Sequence, residues 1–329
     1  MKKIAIYSSH SFEVSYLVAA NKEKHELIFI NEALCIETVS LCMGCMGIAV
    51  FTSDDVSAEV LDLLAKQNIE FITTRSTGFD HIDLQRAKEL GIAIAHVPGY
   101  SPNAIAEHTI ALILALNRKI ILSHEKVNDF DFRIDELIGF NLQGKTVGII
   151  GAGKIGAVVC KILHGFGCKL IVSDINEDKK LVNYYNVHYT NLKELLNKSD
   201  IISLHAPLSE ATNYIINAHA IAEMKNGVML INTSRGKVVN TIDVLHALND
   251  GHISYYGADV YENEQGVFFK QFPVKGIADP VLQALIRHKH VLLTAHQAFL
   301  TKEALYTIAT MTIKNITSFI DKIVNPNLL

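Results

Sequence analysis

The stretch Lys145–Asp174, KTVGIIGAGKIGAVVCKILHGFGCKLIVSD, decides the fold. It opens on an apolar run, Val147-Gly148-Ile149-Ile150, that reads as a buried strand. Gly151-Ala-Gly153-Lys-Ile-Gly156 follows, and then a helical pattern with apolar Ile155, Val158, Val159, Ile162 and Leu163. A second apolar strand runs from Lys169 to Ser173 and ends at Asp174. Strand, glycine turn, helix and strand in this order make a dinucleotide-binding unit. Gly151 lets the chain turn tightly, Gly153 lets backbone approach a pyrophosphate, and Gly156 lets helix and strand pack closely. The helix N-terminus offers N–H groups and a positive dipole end to the phosphates. Asp174, eighteen residues past Gly156, is placed to accept hydrogen bonds from an adenosine ribose. No Arg follows it closely, and an acid there repels a 2′-phosphate, which favours NAD over NADP. A bare GxGxxG is also found in ordinary Gly-rich turns; the flanking strands, the helix and the terminal acid give it weight here. The motif does not say which chemistry the cofactor serves.

With 329 residues the chain has length for two domains and ample core. Apolar residues make up 49% and charged residues 19%, the balance of a globular enzyme. A net charge of −4 without a basic block argues against nucleic acid or an anionic membrane as partner. The apolar run at the N-terminus, Ile4–Tyr7, is too short for a signal peptide and reads as a first strand, and Ile110–Leu116 is too short to span a bilayer. A cytoplasmic protein is the expectation. Five Cys, an odd number, argue against a disulfide framework. Cys42-Met-Gly-Cys45 lacks a second ligand pair or a thioredoxin-like context, so two reduced thiols are expected and no metal.

Residues 3 to 96 read as repeated strand–helix units, with strands at Ile4–Tyr7, Glu26–Ile30, Gly47–Phe51, Glu70–Thr73 and Ile92–His96. Alternation of this kind implies a parallel sheet covered on both faces. This half has no GxGxxG. Its loop Arg75-Ser-Thr-Gly78-Phe-Asp80 follows a strand end, where open α/β sheets bind ligands. N–H groups at Thr77 and Gly78 would suit a small carboxylate, although a plain strand-to-helix turn fits the spacing equally well. Val97-Pro98-Gly99-Tyr100-Ser101-Pro102 reads as a linker, with Ser101 as N-cap and Pro102 opening a long helix to about Ile121. After a polar stretch the dinucleotide unit begins. Further strands fit Ile201–Leu204, Val228–Asn232, Ile253–Ala258 and Val291–Thr294, and a last helix fits Thr301–Val324.

Three strand ends in the second half carry polar clusters. In Asn232-Thr-Ser-Arg235-Gly236, the Arg sits where ligands bind, and its planar fork suits a two-point grip on a carboxylate. A solvated surface Arg is the plainer alternative. In Asp259-Val-Tyr-Glu262-Asn-Glu264, a carboxylate beside a His would orient the ring and raise its pKa, though acid-rich loops are commonly just solvated. His296, in Thr294-Ala-His296-Gln-Ala-Phe299, follows a strand and can serve as a general acid near neutral pH; it is one of fifteen His. An anion grip, an acid–base His and a carboxylate to tune it are what reduction of a 2-keto acid by NADH requires.

With these residues assembled, the chain resembles the NAD-dependent D-2-hydroxyacid dehydrogenase family from end to end. The motifs that carry the resemblance are GAGKIG at 151–156, MKNGVMLINTSRGKVV at 224–239, ADVYENE at 258–264 and the His of TAHQAF at 294–299. PGYSPNAIAEHT at 98–109, ENEQGVFF at 262–269 and HQAFLTKEAL at 296–305 resemble its fermentative D-lactate dehydrogenase branch. The resemblance implies an α/β fold of two doubly wound parallel-sheet domains with an interdomain cleft: a flavodoxin-like substrate domain, 1–99 plus 299–329, and an inserted Rossmann NAD domain, 100–298. The last helix would then pack back on the first domain. The resemblance also implies Arg235 as substrate anchor, His296 as proton donor and Glu264 as its pKa-raising partner. Thr77 and Gly78 would bind substrate carboxylate, while Tyr100 and Phe299 would shape a small pocket. Ile155, Gly156, Asp174, Pro207, Thr212, Thr233, Ser234 and Asp259 would contact NAD. Gly99 and Ala206 depart from the commonest family residues; Ala206 would alter the nicotinamide pocket.

The activity so implied is reversible reduction of pyruvate to D-lactate by NADH in a homodimer or homotetramer. Two alternatives stay open: a sister enzyme for a larger 2-keto acid, and an NAD(H)-sensing binding protein.

Overall fold

The computed structural model describes residues 1–273 and 276–329. The chain divides into two compact units, Met1–Ser101 with Leu300–Leu329, and Pro102–Phe299. The crossings lie at Ser101/Pro102 and Phe299/Leu300, two residues and one residue later than the sequence suggested. Both fall beside helix starts: Pro102 opens a helix, and Thr301 caps one by accepting the Ala304 N–H on its hydroxyl.

The first unit contains β1 (Lys3–Ile6), α1 (Ser11–Asn21), β2 (Glu26–Phe29), β3 (Gly47–Val50), α2 (Ala58–Lys66), β4 (Phe71–Thr74), α3 (Leu84–Leu90) and β5 (Ala93–Ala95). The five strands are all parallel, in the order β2-β1-β3-β4-β5, the flavodoxin-like winding. Side chains alternate along each strand, so both sheet faces are buried. In β1, Ala5 faces a core with Leu61, Leu64 and Ile72, while Ile4 and Ile6 face the other side. There the C-terminal helix, Lys302–Ile320, buries Ala309, Ile313 and Ile316 against Ile4, Ile6, Leu17 and Phe71. Asn315 on this helix donates to Thr73 and to the His96 carbonyl, tying it to the strand ends. Cys42 and Cys45 are buried free thiols in the same unit, and Cys42 donates to the Val39 carbonyl.

The second unit opens on α4 (Pro102–Asn117) and α5 (Ile120–Asn128). One helix to about Ile121 was expected; the structure breaks it at Lys119, which adopts φ +50°. The break is held from a distance. Asn117 exchanges hydrogen bonds with the Phe140 backbone, and Lys119 Nζ donates to the Ile138 carbonyl. The unit continues with β6 (Thr146–Ile150), α6 (Lys154–Gly165), β7 (Lys169–Ser173), α7 (Lys179–Tyr185), β8 (His188–Tyr189), α8 (Leu192–Lys198) and β9 (Ile201–Leu204). Then come α9 (Ala218–Ala222), β10 (Val228–Asn232), α10 (Thr241–Asn249), β11 (Ile253–Ala258), α11 (Pro280–Arg287) and β12 (Val291–Leu293). All seven strands are parallel, in the order β12-β11-β10-β9-β6-β7-β8. The winding reverses at β6, so the C-terminal ends of β6 and β9 form the switch point where such sheets bind ligands. Among the described residues no helix is long and apolar enough to cross a membrane.

Candidate active site

The glycines after β6 behave as a dinucleotide cradle requires. Gly151 turns at φ +88°, and a Cβ there would lie 2.6 Å from the Ala206 N. A Cβ on Gly156 would lie 2.1 Å from the Gly151 carbonyl oxygen, so only glycine lets α6 start this close to β6. At Gly153, the residue before α6, a Cβ would meet nothing: the space beside the helix N-terminus is open. Ile155, the second residue of α6, is half-buried. Asp174, at the end of β7, accepts the Ala152 N–H at 2.6 Å and the Asn176 N–H at 2.8 Å, which locks strand end and glycine loop into one piece. Its carboxylate retains further acceptor positions for a ribose.

Across the switch point, the end of β9 runs into His205-Ala206-Pro207. Thr212 donates to the Pro207 carbonyl at 2.6 Å and accepts the Ser209 N–H, folding residues 207–212 into a tight loop. His205 was not singled out from sequence. Its Nε2 pairs with the Ser203 hydroxyl at 2.9 Å, and its Nδ1 is buried with no hydrogen-bond partner among the described residues. Burial with no compensating charge pushes its pKa down to about 3, so the ring is neutral at working pH.

At the end of β10, buried Asn232 organises the anchor loop. Its Oδ1 accepts the Ser234 N–H and hydroxyl, and its Nδ2 donates to the Arg235 carbonyl. Arg235 donates through Nη1 to the Ser234 carbonyl. A Cβ on Gly236 would lie 2.1 Å from the Tyr261 carbonyl carbon, so the Arg235 loop rests directly on the loop after β11. Thr233 is buried, and its hydroxyl lies 2.8 Å from that of Thr109 on α4.

The loops after β11 and β12 are knitted together. Asp259 is 1% exposed, and its carboxylate accepts from the Thr294 hydroxyl and from the Gln297 and Ala298 N–H groups. Burial alone would raise its pKa, but these bonds and His108 at 3.5 Å outweigh it, and the pKa is lowered. The His296 N–H donates to the Asp259 carbonyl at 2.7 Å, and His296 sits at φ +52°. This left-handed conformation is costly for a residue with a Cβ and is held by the surrounding bonds. Glu264 Oε1 lies 2.7 Å from His296 Nδ1, and Glu264 Oε2 accepts the Tyr261 N–H at 3.0 Å. An acceptor-only carboxylate at this distance fixes the proton on Nδ1 and leaves Nε2 for chemistry. Burial lowers the His296 pKa and the Arg235 charge works in the same direction. The Glu264 charge and hydrogen bond, with the Asp259 charge, overcome both, and the net shift is upward. Phe299 is buried at the end of this segment.

In the first unit, Ser76 donates to the Gly78 carbonyl and the Thr77 carbonyl accepts from His96 Nδ1. The preceding Arg75 is fully buried. It grips Glu13 at two points and donates to the Tyr7, Ser8 and Ala49 carbonyls, which ties the start of the loop to α1 and to the ends of β1 and β3. Tyr100 is half-buried in the same unit. Sequence reasoning missed Arg75, Asn232, His108 and Thr109. Each lies inside a quoted stretch, which was the only available signal, and their roles come from long-range contacts.

A Rossmann sheet with an open glycine cradle, and a carboxylate-paired His and an Arg past the ends of strands in that sheet, defines a nicotinamide-dinucleotide oxidoreductase. Residues 110–298 match the family model described as the D-isomer specific 2-hydroxyacid dehydrogenase NAD binding domain. The chain is 40% identical over 319 residues to 2-hydroxyacid dehydrogenase homolog 2 of Schizosaccharomyces pombe, covering 96% of each chain. It is 39% identical over 317 residues to D-lactate dehydrogenase of Escherichia coli K12, again covering 96% of each. Its fold is similar to that of Aquifex aeolicus D-lactate dehydrogenase complexed with NAD and lactic acid, with a TM-score of 0.87 and 33% identity over 97% of this chain and 96% of that one. The chain belongs to the D-isomer-specific 2-hydroxyacid dehydrogenase family, and its cofactor is NAD(H).

Proposed function

We propose that the protein is a cytoplasmic D-lactate dehydrogenase that reduces pyruvate to D-lactate reversibly. The observation that carries the reading is the 2.7 Å Glu264–His296 pair on the loops beside Arg235. NADH, when bound, supplies the hydride to the carbonyl carbon. Gly151, Gly153, Ile155, Gly156, Asp174, Ala206, Pro207, Thr212, Thr233, Ser234 and Asp259 would hold it. Arg235 would grip the keto acid's carboxylate and carbonyl through its fork. His296 Nε2 would give its proton to the carbonyl oxygen as charge develops there, with Glu264 stabilising the imidazolium beforehand. Thr77, Gly78, Tyr100 and Phe299 would complete recognition of a small substrate.

The test follows NADH absorbance at 340 nm with pyruvate, 2-ketobutyrate, 2-ketoisocaproate and phenylpyruvate, then NAD reduction with D- and L-lactate. Highest kcat/KM for pyruvate, with D- but not L-lactate oxidised, is expected. A preference for a bulky keto acid would replace the substrate and keep the mechanism. NADH binding without turnover of any of them would favour a sensor.

We propose further that the protein self-associates through the segment 120–138. Ile120, Ile121, Phe130, Phe132, Ile134 and Ile138 are each more than half exposed there. A run of exposed large apolar side chains of this kind marks an interaction surface. Interspersed Lys126, Arg133, Asp129 and Glu136 let two copies meet without like-charge repulsion. A second copy is therefore the occupant. Light scattering should give a multimer for the native chain and a smaller species for F130K/I134K; a native monomer would reject the proposal.

A further inference from the structure

We infer that His108 and Thr109, adjacent on α4, are positioning residues that hold the His296 and Arg235 loops at a fixed spacing. The inference rests on the roles proposed above for those two residues. Thr233 and Thr294 each stand two residues before the group that matters, Arg235 and His296 respectively. Thr109 touches the first and His108 the second.

Donor counting gives each contact a direction. The Thr109 hydroxyl donates to the Ile105 carbonyl at 2.8 Å, so its single proton is committed. In the 2.8 Å contact with Thr233 it therefore accepts, and Thr233 donates. The Thr294 hydroxyl donates to Asp259 Oδ1 at 2.5 Å, so in its 3.0 Å contact with His108 it accepts from Nε2–H. The chain His108 to Thr294 to Asp259 then ends on the carboxylate that also holds the Gln297 and Ala298 N–H groups. His108 thereby braces the turn that places His296, and Thr109 braces the turn that places Arg235.

Consecutive residues on an α-helix point about 100° apart, so one helical step can serve two loops. The helix itself is rigidly placed: Ala106, Ile110, Leu112, Ile113 and Leu116 are buried in the core with Val147, Ile149 and Ile231. It works as a ruler between the carboxylate grip and the proton donor.

The experiment compares His108→Leu with His108→Gln, and Thr109→Val with Thr109→Ser. Gln can still donate to Thr294, and Ser can still accept from Thr233. His108→Leu should lower kcat about tenfold with KM and NADH Kd (from cofactor fluorescence) nearly unchanged, since small misplacements of a reacting group are costly. Thr109→Val should instead raise KM for the keto acid about tenfold and spare kcat. The Gln and Ser variants should recover most of each loss. Amide hydrogen exchange should quicken at 294–298 in His108→Leu and at 232–236 in Thr109→Val. Equal losses in the variants that keep and that remove the hydrogen bond would make these packing residues and overturn the inference. So would native kinetics in His108→Leu and Thr109→Val. A native enzyme that turns over no 2-keto acid would reject the proposed function, and the exchange measurement would still decide the bracing.

Discussion

The ends of β9 and β12 hold two histidines of the same sheet with opposite fates. His205 and His296 are both half-buried, and partial removal from water presses both pKa values downward. Among the described residues His205 has the Ser203 hydroxyl as its one partner, and its pKa falls to about 3. His296 has Glu264 at 2.7 Å with Asp259 behind it, and its pKa ends above the ordinary imidazole value in spite of Arg235. Position on the fold does not decide which imidazole can carry a proton at neutral pH; a carboxylate in hydrogen-bond contact does. The second carboxylate shows the division of labour. Asp259 is saturated by the loop it folds, whereas Glu264 gives one oxygen to the Tyr261 N–H and the other to the His296 ring.

The sharpest way to break this contrast is to remove each imidazole in turn. His296→Gln should lower kcat for reduction about a thousandfold while NADH still binds, since a positioned general acid contributes about 10²–10⁴-fold. Loss of less than tenfold would mean that another group delivers the proton. His205→Gln should leave the pH limb of the reaction in place, because a ring with a pKa of about 3 does not titrate there.

Arg235→Lys keeps the charge that opposes His296 protonation but loses the planar fork. KM should rise at least about tenfold with the pH limb nearly unmoved. Unchanged KM would reject the anchor role.

The smallest effect concerns stability. The folded-state pKa of His205 lies below its unfolded value near 6.5, so the unfolded chain binds more protons between those two values. Stability is therefore lost as pH falls from about 6.5 toward 3. By pH 4.5 the loss from this group is about 3 kcal/mol. His205→Gln should lose less Tm than the native protein between pH 7 and pH 4.5, and an equal loss would show that the ring is protonated in the fold.

The dinucleotide unit was legible because its signals are local. Glycine spacing, apolar strand runs and the acid at the end of the second strand all lie within thirty residues, and β7 runs over Lys169–Ser173 as read. The positions of Arg235, Asp259 and His296 just past strand ends were legible for the same reason. The break at Lys119 was not. The local pattern continues as a helix, and the interruption is imposed by residues 138–140 through Asn117 and Lys119. The helix α7 and strand β8 were also passed over, being short and lying in a polar stretch where tertiary packing decides. His205 carries no motif signal of its own, and His108 and Thr109 close the motif PGYSPNAIAEHT without a role being legible from it. Their meaning lies in one unpaired buried nitrogen and two hydrogen bonds to chain segments more than a hundred residues away.

The most direct test of the central claim is the pH dependence of keto-acid reduction in the native enzyme and in Glu264→Gln. With His296 as the proposed proton donor, activity should be full at low pH and fall as pH rises through its raised pKa. Gln at 264 keeps a hydrogen-bond acceptor but removes the charge, so the falling limb should move to lower pH while the plateau persists. A limb that stays where it is would show that Glu264 does not set the proton affinity of His296, and would contradict the account.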